Sequence, residues 1–306
     1  MIRIGSRGSQ LALWQAHHIA ALLRTQGHEV EIEIIKTTGD RLQEVTFAQV
    51  GSKGMFTLEI EQALEAGRVD LAVHSLKDLP TELPPQFALG ATPPRVDPRD
   101  VVVSKHYASF QELPPGAKVG TSSLRRRAQL RFFRPDLEYV EFRGNVDTRL
   151  RKLDEGQAAA IILAAAGLDR LEKTDWVRER LNPEIVCPAA GQGALGIEIR
   201  NGDERMIEAV NFLNDPATRF AVTAERIALA GLGGGCQVPI GVHCRPAPDS
   251  MQDGRYEILG LVADPEGNRV LKSQAFGTEA ESLGRAIAAD LLQQGASELF
   301  EGIGTH

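Results

Sequence analysis

Short apolar or alternating segments recur along the chain, and longer stretches with helical spacing separate them. The predicted strands of the first two thirds are, by number, residues 3–5, 30–35, 69–73, 101–103, 137–142 and 160–163. Strands that alternate with helices are typical of α/β proteins, in which a mainly parallel sheet is covered on both faces. The pattern therefore predicts the α/β class with a mainly parallel sheet.

One pattern occurs twice. Residues 64–73 and 153–163 each contain the end of a predicted helix, a glycine and an apolar strand. Gly67 and Gly156 occupy the position after the helix, where glycine commonly adopts the left-handed conformation. The repetition predicts two similar α/β halves, and we expect a cleft between them.

The domain boundaries follow from proline-rich breaks in this pattern. Residues 93–98 are rich in proline and form a predicted hinge, whereas the alternating residues 197–200 return to the first half. After Pro216 the pattern changes to helix, glycine loop, strands and helices, which is typical of an α+β domain. The predicted domains are 1–95 with 195–213, then 96–194, and a smaller α+β domain at 214–306.

Composition indicates a globular protein, with 42% hydrophobic and 25% charged residues in 306. The longest apolar run, residues 158–168, has 11 residues, whereas a membrane-spanning helix needs roughly 18. The N-terminal residues lack an apolar stretch of signal-peptide length, so we expect a cytoplasmic protein with no membrane partner. Three cysteines without a Cys-x-x-Cys pair indicate free thiols and predict no metal site.

Positive charge is concentrated in one segment of an acidic chain. The net charge of -7 argues against general nucleic-acid binding. Between Thr121 and Arg151, however, the chain has no lysine, four acids and eight arginines: Arg125, Arg126, Arg127, Arg131, Arg134, Arg143, Arg149 and Arg151. Because the arginine fork binds carboxylates in bidentate fashion, this segment predicts a compact ligand with several carboxylates.

Residues 121–127 follow a short strand and open a predicted helix that continues to about Phe133. Hydroxyl groups here can cap the helix, while its N-terminal N–H groups and dipole attract an anion. A second helix begins after Arg143-Gly-Asn145 in the same half. The alternative for any single arginine is a solvated position on a capped surface helix.

Lys77 and Asp78 follow a predicted buried strand, at the carboxyl edge where α/β sheets bind ligands. Asp78 could stabilise a cation or move a proton. The alternative is an ordinary polar turn in which Lys77 and Asp78 form an ion pair.

Three glycines precede Cys236, so its thiol is expected to be accessible as a nucleophile, whereas Cys187 and Cys244 are expected to be buried.

The polar residues 37–56 are expected to form a lid, or otherwise a plain long loop. Residues 191–196 match the GxGxxG spacing, but Pro188 precedes them and a strand follows. This context argues against a dinucleotide site.

Several of these stretches together resemble the porphobilinogen deaminase family over essentially the whole chain. They are, by number, 7–9, 11–15, 50–54, 74–78, 120–126, 143–145, 191–193 and 234–239. The resemblance implies two domains like the halves of solute-binding proteins and a third domain that carries the cysteine loop. It also implies a monomer that condenses four porphobilinogen molecules head to tail, with loss of ammonia, into hydroxymethylbilane.

The resemblance further implies a dipyrromethane cofactor, held by a thioether at Cys236. Asp78 would hold the pyrrole N–H groups and stabilise the cation formed when the amine leaves. The implied cofactor contacts are Cys236, Lys77, Asp78, Thr121, Ser122, Ser123, Arg125, Arg126, Arg143 and Gly144. The implied substrate contacts are Arg7, Ser9, Lys53, Phe56, Arg149, Arg170 and Gln192. Some family members have a lysine where this chain has Gln49, so the charge of the lid differs.

Paired α/β halves also suit a cytoplasmic module that binds or senses a carboxylate ligand without chemistry. The third domain with its Gly-Gly-Gly-Cys loop discriminates between the two, because simple binding does not require it. The intact mass of the protein decides the question, since only the enzyme carries two extra deaminated porphobilinogen units.

Overall fold

Three β-sheets organise the part of the chain that the computed structural model describes, namely residues 1–38, 57–234, 238–248 and 254–300. The strands are β1 Ile2–Ser6, β2 Val30–Ile34, β3 Leu71–Ser75, β4 Phe87–Ala91, β5 Asp100–Val103, β6 Lys118–Gly120, β7 Glu138–Val140, β8 Ala160–Ala164, β9 Val177–Arg180, β10 Leu195–Arg200, β11 Ile240–Pro246, β12 Tyr256–Ala263 and β13 Val270–Gly277. The α-helices are α1 Gln10–Thr25, α2 Leu58–Glu65, α3 Leu124–Phe133, α4 Val146–Asp154, α5 Ala165–Arg170, α6 Glu204–Val210, α7 Pro216–Gly231 and α8 Ala280–Gln293.

The chain divides into two compact units. Unit 1 comprises Met1–Val96 and Ala194–Arg219, and unit 2 comprises Asp97–Gly193 and Phe220–His306. Unit 2 contains two separate sheets, and the predicted division of the chain into three domains stays a prediction.

The first two sheets have the same construction. In unit 1 the strand order is β2-β1-β3-β10-β4, and in unit 2 it is β7-β6-β8-β5-β9. The second strand of each order, β1 and β6, pairs in parallel with both of its neighbours. Gly67 and Gly156, both with positive φ, end α2 and α4 just before the strands β3 and β8. The predicted repeat of helix, glycine and buried strand is therefore confirmed.

The expectation of a mainly parallel sheet is confirmed for four of the five strands in each of these two sheets, and one strand in each sheet runs in the opposite direction. Strand β10 pairs antiparallel with β3 and β4, and β5 pairs antiparallel with β8 and β9. Strands β5 and β10 are the first strands after the chain passes from one unit to the other. Neither strand therefore belongs to a local strand-helix-strand unit. Only such a unit requires its two strands to be parallel.

The third sheet is antiparallel, in the order β11-β12-β13, and its apolar face packs against α7 and α8. The α+β character predicted for the last part of the chain is thus confirmed. Cys244 lies in this core, and Cys187 is buried against the opposite face of the sheet, so both cysteines are buried as expected. Among the described residues, no helix is long and apolar enough to cross a membrane.

Gly241 on β11 marks a close approach between the third sheet and the segment that contains Cys187. A Cβ atom at this position would lie 2.5 Å from the carbonyl oxygen of Cys187 and 2.7 Å from its Cβ. Since a backbone carbonyl cannot move aside as a flexible side chain can, any larger residue must push the two segments apart.

We expect Gly241→Ala to lower the free energy of unfolding by about 1 to 3 kcal/mol, the usual range for overpacking. Gly277→Ala in the same sheet is the matched control, because its Cβ would meet only a side-chain atom of Leu283 at 3.3 Å. Thermal denaturation of both variants and the parent measures the difference. Equal melting temperatures for the two variants would contradict the close approach at Gly241.

Candidate functional site

The start of α3 has the capping chemistry expected from its sequence. The hydroxyl of Ser123 accepts a hydrogen bond from the backbone N–H of Arg126, and the Thr121 hydroxyl accepts one from the N–H of Ser123. The Ser122 hydroxyl accepts from the N–H of Phe142, at the end of the neighbouring strand. The three hydroxyl residues thus fix where α3 begins, and this position sets the direction of the arginines that follow.

Arg125 and Arg126 converge on one buried carboxylate of their own unit. Asp100, at the start of β5, has no solvent exposure. Its Oδ2 accepts from Arg125 Nη1 at 2.8 Å, and its Oδ1 accepts from Arg126 Nη2 at 2.7 Å and Nε at 3.0 Å. Gln192 Nε2 donates to the same Oδ1 at 2.9 Å. We call these four residues the Asp100 cluster.

The charges of the Asp100 cluster do not cancel. Burial alone raises the pKa of Asp100, but the two guanidiniums outweigh burial and hold that pKa well below its usual range. One carboxylate therefore faces two arginines, and the four residues of the Asp100 cluster together carry one net positive charge. An anion that reaches this cluster finds both charge and oriented donors.

Arg149 on α4 extends this positive region. Burial lowers the pKa of Arg149 to about 10, and the positive charges of Arg126 and Arg143 lower it further, against the opposing effect of Glu141. Its Nε is buried and has no hydrogen-bond partner within the described residues. Because an unpaired buried donor is costly, this nitrogen is suited to a ligand oxygen.

Arg143 and Gly144 form the turn that leads into α4. Gly144 has a φ of 119°, and a Cβ there would lie 2.7 Å from Cγ2 of Thr148. Asn145 caps the helix by accepting from the N–H of Thr148 at 2.9 Å. Arg143 Nη2 donates to Glu141 Oε1 at 2.6 Å, and both side chains are partly exposed. This pair is the kind that a stronger anion can displace.

The turn at residues 191–193 ties several of these groups together. Gln192 is buried and also donates to the carbonyl of Pro98 at 2.7 Å, while Arg170 Nη2 donates to the carbonyl of Gly193 at 2.8 Å. Burial lowers the pKa of Arg170 to about 10. Strand β10 follows this turn where a nucleotide site needs a helix, which supports the rejection of a dinucleotide site.

Glu225 on α7 accepts a hydrogen bond from the same turn. Its Oε2 accepts from the N–H of Gly191 at 2.7 Å, and its Oε1 accepts from the N–H of Cys244 at 2.8 Å. Glu225 has no solvent exposure. This carboxylate therefore connects α7, which precedes the Cys236 loop, with β11, which follows it, and with the turn that carries Gln192.

Lys77 and Asp78 lie in a single 3-10 turn at the carboxyl end of β3, in unit 1, as the sequence predicts. The Asp78 carboxylate is exposed, and no described residue forms a hydrogen bond or an ion pair with it. Lys77 and Asp78 therefore do not form the ion pair of the alternative interpretation. Ser9 in the same unit caps α1 by accepting from the N–H of Ala12, and Arg7 is half-buried before it.

Strand β3, which leads into the Asp78 turn, carries a buried pair that no local sequence pattern indicates. His74 Nε2 lies 2.9 Å from Glu198 Oε2 on β10, and both side chains are buried. Glu61 on α2 is close to this pair. Burial raises the pKa of Glu61, and the negative charge of Glu198 acts in the same direction. The pair anchors the strand that positions Asp78.

Asp100 and Glu225 were also not foreseen, although the sequence contains a signal for each. Asp100 opens the apolar run Val101–Val103, and Glu225 interrupts the alanine-rich face of α7. A charged residue in a buried run needs partners inside the protein. Three predicted residues, Lys53, Phe56 and Cys236, lie outside the described residues, as does Gln49.

Comparison with known proteins covers nearly the whole chain. Residues 2–208 match the family model described as "Porphobilinogen deaminase, dipyromethane cofactor binding domain", and residues 219–293 match "Porphobilinogen deaminase, C-terminal domain". The porphobilinogen deaminase of Thiobacillus denitrificans is 49% identical over 306 residues, covering 99% of this chain and 98% of the relative. That of Pelobacter propionicus is also 49% identical, covering 98% and 96%.

Similarity to solved structures is weaker. The second substrate-binding domain of a putative amino acid ABC transporter from Streptococcus pneumoniae has a TM-score of 0.45 and 15% identity, covering 69% of this chain and 91% of that one. A putative methionine-binding lipoprotein from Bacillus subtilis has a TM-score of 0.44 and 13% identity, covering 71% and 91%.

We expect Asp100→Asn to lower the free energy of unfolding by about 3 to 5 kcal/mol, because it leaves two buried guanidiniums without their counter-ion. The folded-state pKa of Asp100 is below its unfolded value of about 3.9. Its stabilisation is therefore complete above that value and is lost as the pH falls toward the folded-state pKa.

Urea denaturation of parent and variant should show a constant difference from about pH 6 to pH 8 and a smaller one near pH 3. Glu281→Gln is the control, because Glu281 forms an exposed ion pair with Arg285 on α8 and should change stability little. A parent and an Asp100→Asn variant of equal stability at pH 7 would show that the cluster needs no charge at this position.

Proposed function

The chain belongs to the porphobilinogen deaminase family, and we propose that it condenses four porphobilinogen molecules head to tail, with loss of ammonia, into hydroxymethylbilane. It is a transferase of tetrapyrrole biosynthesis. The substrate carries an acetate and a propionate on each pyrrole, so the growing chain gains two negative charges with every addition. The positive surplus around Asp100 and Arg149 is the observation that supports this reading best, because it suits a ligand with several carboxylates.

The residues of unit 2 fit the dipyrromethane group that the matched cofactor-binding domain requires. Two linked pyrroles bring four carboxylates, and unit 2 offers the unpaired buried Nε of Arg149 and the displaceable pair of Arg143. When bound, the group supplies the primer that the tetrapyrrole is built on. We propose that it is attached by a thioether to Cys236.

We propose distinct duties for the arginines. Asp100 and Gln192 fix the guanidinium planes of Arg125 and Arg126 before any ligand arrives, so carboxylates meet oriented donors. Arg143 and Arg149 are the groups whose pairing changes on binding. Membership of the family further implies cofactor contacts at Lys77, Asp78, Thr121, Ser122, Ser123, Arg125, Arg126, Arg143 and Gly144, and substrate contacts at Arg7, Ser9, Lys53, Phe56, Arg149, Arg170 and Gln192.

Asp78 is the proposed catalytic residue. Each addition breaks the C–N bond of the protonated aminomethyl group, the nitrogen leaves with the bonding electrons as ammonia, and positive charge develops on the pyrrole that remains. A new C–C bond then forms to the free α-carbon of the acceptor pyrrole, and loss of the proton from that carbon removes the charge. A carboxylate that no other described residue neutralises can accept the pyrrole N–H and stabilise that charge. The buried His74–Glu198 pair keeps β3, and with it the Asp78 turn, in place.

We also propose that the protein acts as a monomer in the cytoplasm, with residues 214–306 forming a third domain that carries the Cys236 loop. The buried free thiols of Cys187 and Cys244 suit a reducing compartment. Size-exclusion chromatography with light scattering tests the oligomeric state.

Cys236→Ser should give folded protein whose intact mass shows no added dipyrromethane and whose activity is nearly absent, because a hydroxyl is a far weaker nucleophile than a thiolate. Cys187→Ser and Cys244→Ser are the controls and should retain the added mass, since both thiols are buried. If peptide mapping finds the adduct on Cys244 in β11, Cys236 is not the attachment residue. An unmodified parent chain would instead favour a carboxylate-binding module without chemistry.

Asp78→Asn should lower kcat by roughly 10² to 10³, the usual cost of removing one preorganised stabilising group, while thermal stability stays unchanged. The matched control is Glu82→Gln, a nearby exposed carboxylate, which should keep the parent rate. Single-turnover release of ammonia is measured on variants already shown by mass to carry the cofactor. Release at the parent rate by Asp78→Asn would remove this residue from the mechanism.

A further inference from the structure

A cavity of about 360 Å³ lies in unit 2, on the face of the third sheet that α7 and α8 leave uncovered. Residues of all three strands form one wall, and the segment 182–184 forms the other. No member of the Asp100 cluster lines it. Its volume is at the lower end of the range for small-molecule sites.

The register of the sheet brings a row of three side chains to the floor of this cavity. His243 pairs with Leu259, and Leu259 pairs with Gln274, so the three share one face. His243 is only 7% exposed, and its Nδ1 has no hydrogen-bond partner among the described residues. Glu225 Oε1 is the nearest carboxylate oxygen, at 3.6 Å, which is too long for a hydrogen bond. His243 therefore contributes to the floor of the cavity as a nearly buried imidazole.

Arg245, one row further along the sheet, supplies unused donors. Its Nε donates to Glu257 Oε2 at 2.8 Å, whereas Nη1 and Nη2 have no partner within the described part of the chain. Glu257 is already satisfied, because Gln274 donates to its other oxygen. The side chain of Arg245 is 46% exposed, so the two terminal nitrogens form an open fork at the cavity.

The remaining walls indicate what kind of molecule fits. Leu259 and Pro183 offer apolar surface, and Lys272 adds a second positive charge, with its Nζ held by the carbonyl of Glu184 at 2.7 Å. The lining also contains the carboxylates of Glu184 and Glu257, so the attraction for an anion comes from the open fork of Arg245 and not from a net positive charge. The cavity thus combines an arginine fork, a buried imidazole and an apolar wall. A carboxylate at one end of a compact apolar body matches all three.

We propose that this cavity is a second ligand site, separate from the Asp100 cluster, that binds a small organic carboxylate. The carboxylate accepts from Arg245 Nη1 and Nη2 in bidentate fashion, and the apolar body packs on Leu259 beside His243. The site does not depend on the proposed catalytic roles, since none of its residues takes part in them.

Titration of the holoenzyme with benzoate tests the proposal, with the imidazole NMR signals as the readout. The signal of His243 is assigned by its loss in His243→Gln. We expect a saturable shift of this signal with a dissociation constant in the low-millimolar range, as for other ligands of about nine heavy atoms. Benzamide, which has nearly the same shape and no charge, should leave the signal unchanged.

Arg245→Gln should weaken benzoate binding at His243 about tenfold or more, because it removes the charge-assisted fork. Arg245→Lys keeps the charge and should bind with intermediate affinity, which separates loss of the site from misfolding. Arg285→Gln, an exposed arginine of α8, is the matched control and should bind as the parent does. Parent affinity in Arg245→Gln, equal shifts with benzamide, or no saturable shift of His243 would each overturn the proposal.

Discussion

The candidate site depends on an unequal charge balance, one buried carboxylate against two arginines. Asp100 has no exposure and accepts hydrogen bonds from Arg125, Arg126 and Gln192. Within the Asp100 cluster the two arginines carry one positive charge more than the carboxylate that holds them. They are therefore held rigidly and remain attractive to anions, and the fold supplies the orientation that ligand binding would otherwise have to provide.

The sequence predicted most of the elements and their approximate ends, because helix caps, glycine C-caps and apolar runs are local signals. Ser123 and Asn145 cap α3 and α4 as expected. The direction of β5 and β10 was not predictable in this way. Each strand is placed by pairing with residues far away along the chain, and an apolar or alternating run carries no information about the direction of its neighbours.

The same limit applies to the site. The arginines, Lys77 and Asp78 were found because they cluster in short segments, whereas their buried partners are distant in sequence. Asp100 lies 25 and 26 positions from the arginines that it holds, and Glu198 lies 124 positions from His74. Glu198 occupies an alternating strand that resembles one with a solvent face, but both faces of β10 are covered. The local sequence pattern therefore identified the charged residues of the site, and only the fold showed which buried carboxylate each of the paired side chains contacts.

The burial of Cys187 affects which thiols of the protein can react with electrophiles. Its backbone is held on both sides, because Arg125 and Gln129 donate to its carbonyl and its N–H donates to Gln129. Burial raises the pKa of its thiol far above the usual range, so this sulfur stays protonated and unreactive at physiological pH. A protein that generates carbon electrophiles at every turnover needs its spare thiols protected from alkylation. Enclosing Cys187 beneath the third sheet gives that protection through packing alone, without removing the sulfur from the sequence.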